Sequence, residues 1–157
     1  MTSKTLYDED FYAWTQHQAA LLRRLPPARN ELDFEHIAEE IEDLGCSDLR
    51  AARSLCQYII EHLLKLEFSG LEELADHWRD EIVEWRVQLE QILTRSIEAK
   101  LDLPSQYRVA LRLVRRLERD VLGFTRRVPR VCPYTLEQIR SSGDEDWFPV
   151  PQNAPST

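Results

Sequence analysis

A chain of 157 residues, 43% hydrophobic and 31% charged, is long enough to bury a core of its own, because a domain of this size removes roughly 70% of its unfolded surface from water. Four glycines and eight prolines in a Leu-, Glu-, Arg- and Ala-rich background exclude a disordered chain or a β-sandwich and point to an all-α fold. The net charge of −8 excludes a globally basic nucleic-acid binder, and three cysteines with no C-x-x-C pair exclude a disulfide framework or a zinc ribbon.

The opening MTSKTLYDED has no apolar run after its lysine, and nowhere do 18 apolar residues follow one another. The expectation is a cytoplasmic protein with reduced thiols, no signal peptide and no membrane span. A first helix is predicted from about residue 8 to 25, with Phe11, Trp14, Gln18, Leu21, Leu22 and Leu25 on one face and Pro26-Pro27 ending it. A second is predicted over 33–45, where Phe34, Ile37, Ala38, Ile41 and Leu44 form the inward stripe. Gly45 suits a left-handed C-terminal position, and Ser47 suits the N-cap of a third helix over about 48–67.

That third helix carries a heptad pattern, Leu49, Cys56 and Leu63 at one position and Ala52, Ile59 and Leu66 at the other. Ser69-Gly-Leu-Glu72 has the form of a capping box for a long fourth helix, with Leu71, Leu74, Ala75, Trp78, Ile82, Trp85, Leu89, Ile92 and Leu93 on its stripe. Pro104 opens a fifth helix reaching about residue 128, in which Tyr107, Ala110, Leu111, Val114, Leu117, Val121, Leu122 and Phe124 face inward. Thr135-Leu-Glu-Gln138 caps a short sixth helix, and Trp147-Phe148-Pro149 begins an extended strap. The expected architecture is an antiparallel bundle of about five main helices with a short C-terminal helix, one domain over 1–150, and a disordered tail over 151–157.

Charge is unevenly spread. Residues 31–48 carry eight acids and no Lys or Arg, whereas residues 108–130 carry eight arginines against two acids.

Leu6-Tyr-Asp-Glu-Asp-Phe11 with Trp14, Ala38-Glu-Glu-Ile-Glu-Asp-Leu-Gly45, Glu61-His-Leu-Leu-Lys65, Trp78 and Cys132-Pro-Tyr-Thr-Leu136 together resemble the bacterial family called domain of unknown function 29, over nearly the whole chain. The resemblance implies a compact helical protein and carries over no catalytic residue. Glu72 to Asp76 is acidic where that family is expected to be more basic and serine-rich.

Three groups of residues are candidates for chemistry. Glu39, Glu40 and Asp43 spell E-E-x-x-D, with His36 and Asp43 within about 60° of Glu40 on a helical wheel. Glu73-x-x-Asp76 follows about 30 residues later. These sets resemble the carboxylate pairs with which all-α nucleotide pyrophosphohydrolases hold Mg²⁺, a cation that prefers hard oxygen ligands; an ordinary solvated acidic face is the competing reading. Gln18, His62 and Glu118 each fall on or beside an apolar stripe, and polar groups aimed into a core must find partners, which suggests a shared buried network or a small polar pocket. The arginines of the fifth helix, Arg108, Arg112, Arg115, Arg116, Arg119, Arg126 and Arg127, lack interleaved aromatics, so nucleic acid is not expected as a partner.

The favoured reading is a non-catalytic interaction or regulatory module, with no cofactor, acting on a protein partner or as a homodimer. The alternative is a divalent-metal-dependent hydrolase of phosphates or nucleotides, using Mg²⁺ or Mn²⁺ on His36, Glu39, Glu40, Asp43, Glu73 and Asp76.

Overall fold

The computed structural model of the chain describes residues 3–26, 32–117, 124–141 and 146–152, and among these every regular element is helical, with no strand. In chain order they are α1 (Ser3–Glu9), α2 (Phe11–Leu22), α3 (Phe34–Phe68), a 3₁₀ turn (Glu72–Leu74), α4 (Ala75–Ile92), α5 (Arg95–Glu98), α6 (Leu103–Leu117), α7 (Phe124–Arg127) and α8 (Leu136–Arg140). Contacts divide the chain into two compact units, Met1–Ala52 with Ile92–Leu101, and Arg53–Gln91 with Asp102–Thr157. No helix among the described residues is long and apolar enough to cross a membrane.

In the first unit the single helix expected over 8–25 is two helices, because Asp10 leaves helical geometry and caps α2, accepting from Ala13 N at 3.0 Å. Its second carboxylate oxygen accepts from Ser96 N at 2.9 Å, tying the start of α5 to the start of α2. Burial pushes the Asp10 carboxyl up, but hydrogen bonds from Ala13, Ser96 and Thr94 outweigh it and hold the group below its usual range. The buried residues of α2 are Tyr12, Thr15 and Ala19, a stripe turned by one position from the expected one. Phe11 and Trp14 instead stack on each other, and Tyr7 of α1 packs edge-on against both.

The two helices expected over 33–45 and 48–67 are one continuous helix of 35 residues. Gly45 is not a left-handed terminus and Ser47 is not a cap. A Cβ on Gly45 would collide with the Thr15 hydroxyl and come within 3.3 Å of the Tyr12 ring, so the glycine is there for close approach to α2 and not for a turn. Ala38, Gly45 and Ala52, seven residues apart, are all buried. This row of small residues takes the inward face expected for Ile37 and Leu44, which are exposed.

In the second unit both heptad positions of α3 are buried as expected, through Cys56, Ile59, Leu63 and Leu66. The glycine that ends α3 is Gly70, at φ +73°. The Ser69 hydroxyl accepts from Leu71 N at 3.2 Å, and the 3₁₀ turn then delays α4 to Ala75, four residues later than the stripe suggested. Trp78, Ile82 and Leu89 of α4, and Tyr107, Ala110 and Val114 of α6, are buried as their spacing requires. Thr135 and Gln138 form the expected reciprocal capping box on α8. Glu118, Val121 and Leu122 lie outside the described residues. The strap after Trp147 is held as far as Gln152, whose amide donates to Glu67 O at 2.7 Å; the tail from 153 onward lies outside the described residues.

Candidate functional site

The acidic half of α3 is preceded by Asp33, whose carboxylate accepts from His36 N at 3.2 Å and pairs with the His36 ring. The Asp33 hydrogen bond and the nearby Glu39 charge raise the His36 pKa above its ordinary value, and the same contact lowers that of Asp33. Arg23, at the C-cap of α2, reaches Glu35 at 3.2 Å and Glu42 at 2.8 Å. Three acids therefore have cationic partners, whereas Glu39, Glu40 and Asp43 form no ion pair among the described residues. All three are exposed. Glu40 lies on the same face as Ile37 and Leu44, which are 36% and 57% exposed, so this face of the helix is an apolar pair edged by unpaired carboxylates.

The residues proposed from spacing as metal ligands are not brought into one group. His36 is turned to Asp33, and Asp76 of α4 accepts from Arg79 at 2.8 Å. Among the described residues no three His, Cys, Asp or Glu side chains come together in a way that would hold a metal ion. His36, Glu39, Glu40, Asp43, Glu73 and Asp76 are all among the described residues.

Of the expected polar network, Glu118 lies outside the described residues, and Gln18 is half-buried on α2 in the first unit. His62 is buried in the second unit, within a cluster built from its own helix and α4. Its Nδ1 donates to the Tyr58 carbonyl at 3.1 Å, and its Nε2 lies 3.4 Å from the Lys65 ammonium, which donates to it. The Tyr58 carbonyl can only accept, so Nδ1 carries a proton. Burial and the Lys65 charge push His62 down to about 4, against a weaker upward pull from the Tyr58 carbonyl. Glu81 Oε2 lies 3.0 Å from the same Nε2 and favours the charged ring, but desolvation and the adjacent ammonium outweigh it. Lys65 in turn pairs with buried Glu61 at 2.9 Å and lies over the Trp78 ring, while Trp85 meets His62 edge-on. The Glu61-His-Leu-Leu-Lys65 block is thus a buried charge cluster on a bed of tryptophan.

A family model described as Domain of unknown function DUF29 matches residues 6–148. The chain belongs to this family. An alpha-helical protein of unknown function from Rhodospirillum rubrum, known from a crystal structure at 1.45 Å resolution, superposes on it with a TM-score of 0.79. The two are 27% identical, over 89% of this chain and 92% of that chain. A search of curated proteins gives no significant match. Family and fold are therefore shown together, and neither assigns an activity to a DUF29 protein.

One residue of this DUF29 chain that spacing arguments passed over is Arg86. It sits in the apolar stripe of α4, four residues after Ile82 and three before Leu89, and is 5% exposed. Its Nε donates to Ile139 O at 3.0 Å and its Nη2 to Gln138 O and Trp147 O at 2.8 Å each, while Nη1 reaches Asp146 at 3.4 Å. The Phe148 ring lies 5.1 Å beneath the guanidinium. One side chain thus satisfies carbonyls at the end of α8 and fastens the strap. The readable signal was a cation at a core-facing position. This group is fully engaged and serves the fold.

Proposed function

We propose that this DUF29 chain is a non-catalytic interaction module whose working surface is the first half of α3, and that its partner is a basic amphipathic segment of another protein. The observation that carries the reading is the exposed Ile37–Leu44 pair with Glu40 on the same face and unpaired Glu39 and Asp43 alongside. Large apolar side chains rimmed by charge are the usual form of an interaction surface. With eight acids and no Lys or Arg over residues 31–48, a cationic partner is the complementary one. A helix presenting apolar anchors with lysines or arginines beside them satisfies both features.

A cytoplasmic place of action belongs to the same reading and is supported by three cysteines that are all free thiols. A second copy of the chain is the competing occupant, because α6 carries the exposed arginines Arg108, Arg112, Arg115 and Arg116. The reading calls on no cofactor.

The test is fluorescence anisotropy with a labelled Leu/Lys amphipathic peptide, run beside sedimentation equilibrium of the protein alone. Wild-type protein is expected to bind the peptide as a monomer. Ile37→Ser with Leu44→Ser, which leaves the charge unchanged, is expected to weaken binding by roughly tenfold or more. Equal affinity for wild type and double variant would reduce the contact to unspecific charge attraction and end the proposal. A dimer that dissociates in that variant would hand the surface to a second copy.

A further inference from the structure

We propose that the concavity walled by Arg115, Arg126, Arg127 and Arg130 is a binding site for a small phosphorylated anion bearing a diphosphate or triphosphate group. The proposal is independent of the acidic face of α3, since every residue of the concavity lies in the second unit. The space measures about 730 Å³, within the roughly 300–1,000 Å³ of small-molecule sites.

Its walls come from three successive pieces of chain. Arg115 lies in the last turn of α6, Arg126 and Arg127 form the end of α7, and Arg130 follows Pro129 in the next turn. Tyr107 holds that turn in place, its hydroxyl donating to Pro129 O at 2.6 Å, and buried Val128 anchors the residue before it. Arg127 and Arg130 thus flank a turn that is held in place.

Two observations point to an anion. Among the described residues no carboxylate lines the space, and none of the four arginines forms an ion pair. Arg127 Nη1 is buried without a hydrogen-bond partner among the described residues. A buried donor left unpaired is unfavourable, and water or a bound anion can satisfy it. Guanidinium groups present forked pairs of N–H donors that match phosphoryl oxygens two at a time.

The same surroundings favour a small polyanion over nucleic acid. With a net charge of −8, the chain as a whole repels a long polyanion. The lining holds Leu111, Val128 and Pro129 but no aromatic ring among the described residues on which a base would stack.

The test is isothermal titration of the full chain with pyrophosphate, inorganic phosphate and chloride at constant ionic strength. Pyrophosphate is expected to bind saturably at one site and more tightly than phosphate, with chloride inert. Arg127→Gln and Arg126→Gln/Arg130→Gln are each expected to weaken pyrophosphate by roughly tenfold or more. Arg108→Gln, on α6 outside the concavity, is expected to leave it unchanged. Arg127→Lys keeps the charge but not the fork, and should lose affinity as well. Should Arg127→Gln fail to fold by circular dichroism, the pair at exposed Arg126 and Arg130 still decides the matter. Absence of saturable heat, or equal affinity in wild type and the Arg126→Gln/Arg130→Gln variant, overturns the proposal. So does a single-stranded oligonucleotide that binds more tightly than pyrophosphate through the same arginines.

Discussion

The Thr15 hydroxyl of α2 occupies the space in which a Cβ on Gly45 of α3 would stand. That hydroxyl is not free to swing away, because it donates to the Tyr12 carbonyl at 2.8 Å and the residue is fully buried. Two features that look unrelated in the sequence, a threonine on one helix and a glycine on another, are one contact.

Gly45→Ala should therefore destabilise the protein by about 1–3 kcal/mol, the cost of overpacking. At an open helical position the same change stabilises by roughly 0.5–1 kcal/mol. The sign alone is diagnostic. Urea denaturation of Gly45→Ala, Thr15→Ala and the double variant should show a smaller loss from Gly45→Ala when Thr15 is already shortened. Strict additivity would mean that the two residues do not share the space.

Arg86→Ala should remove the donors for Gln138 O, Ile139 O and Trp147 O together and cost on the order of 3 kcal/mol or more, since each buried acceptor left unpaired costs about 1–3 kcal/mol. Arg86→Lys should recover only part, because a single ammonium cannot span α8 and the strap. Limited proteolysis offers a second readout, with cleavage after Arg140 becoming fast in Arg86→Ala. A strap as resistant as in wild type would show that Trp147 and Phe148 hold it without Arg86.

Stability should fall as the pH drops from about 6.5 to about 4. The His62 pKa is lowered to about 4 in the folded chain, so the unfolded chain takes up the proton first and folding opposes protonation. The stabilisation is complete above the unfolded value near 6.5 and is lost as the pH falls through the folded one. The charged and titratable groups acting on the ring are Lys65 of α3, itself paired with Glu61, and His77 and Glu81 of α4. Glu81, able to accept a proton-bearing Nε2, keeps the loss to at most about 3 kcal/mol. His36 acts in the opposite sense, its raised pKa giving a contribution present below about 6.5 and lost as the pH rises. Urea titrations of His62→Gln across this range should be flatter than wild type, and an unchanged slope would place the pH response elsewhere.

Excess Mg²⁺ or Mn²⁺ should leave the melting temperature unchanged, because the carboxylates of α3 and α4 do not gather into a metal-holding group among the described residues. A rise that disappears in Glu40→Gln/Asp43→Asn would restore the hydrolase reading and displace the interaction module.

Much of the fold was legible because periodicity is a local property. The α3 heptads, the Thr135–Gln138 box and the inward face of α6 over Tyr107, Ala110 and Val114 all rest on neighbours within a few turns. Ile37 and Leu44 were misplaced because the same helix carries a second candidate stripe, Ala38, Gly45 and Ala52. Hydrophobicity favours the first, and only a partner offering Tyr12 and Thr15 beside Gly45 makes the second the buried one. Arg86 escaped notice for a related reason. A cation in a stripe is intelligible only once the carbonyls it serves, more than fifty residues away in sequence, are brought beside it.

By itself the sequence determined the helical class seen throughout the described residues, the membership among DUF29 proteins and the Thr135–Gln138 cap, since these depend on composition, spacing and short blocks of residues. Tertiary structure decided which face of each helix is covered, that one helix runs through Gly45, and that four arginines share a single concavity with one buried donor unsatisfied. The physical reason is that burial is a property of pairs of surfaces. A single helix specifies its own surface, and its partner selects which part of that surface leaves water.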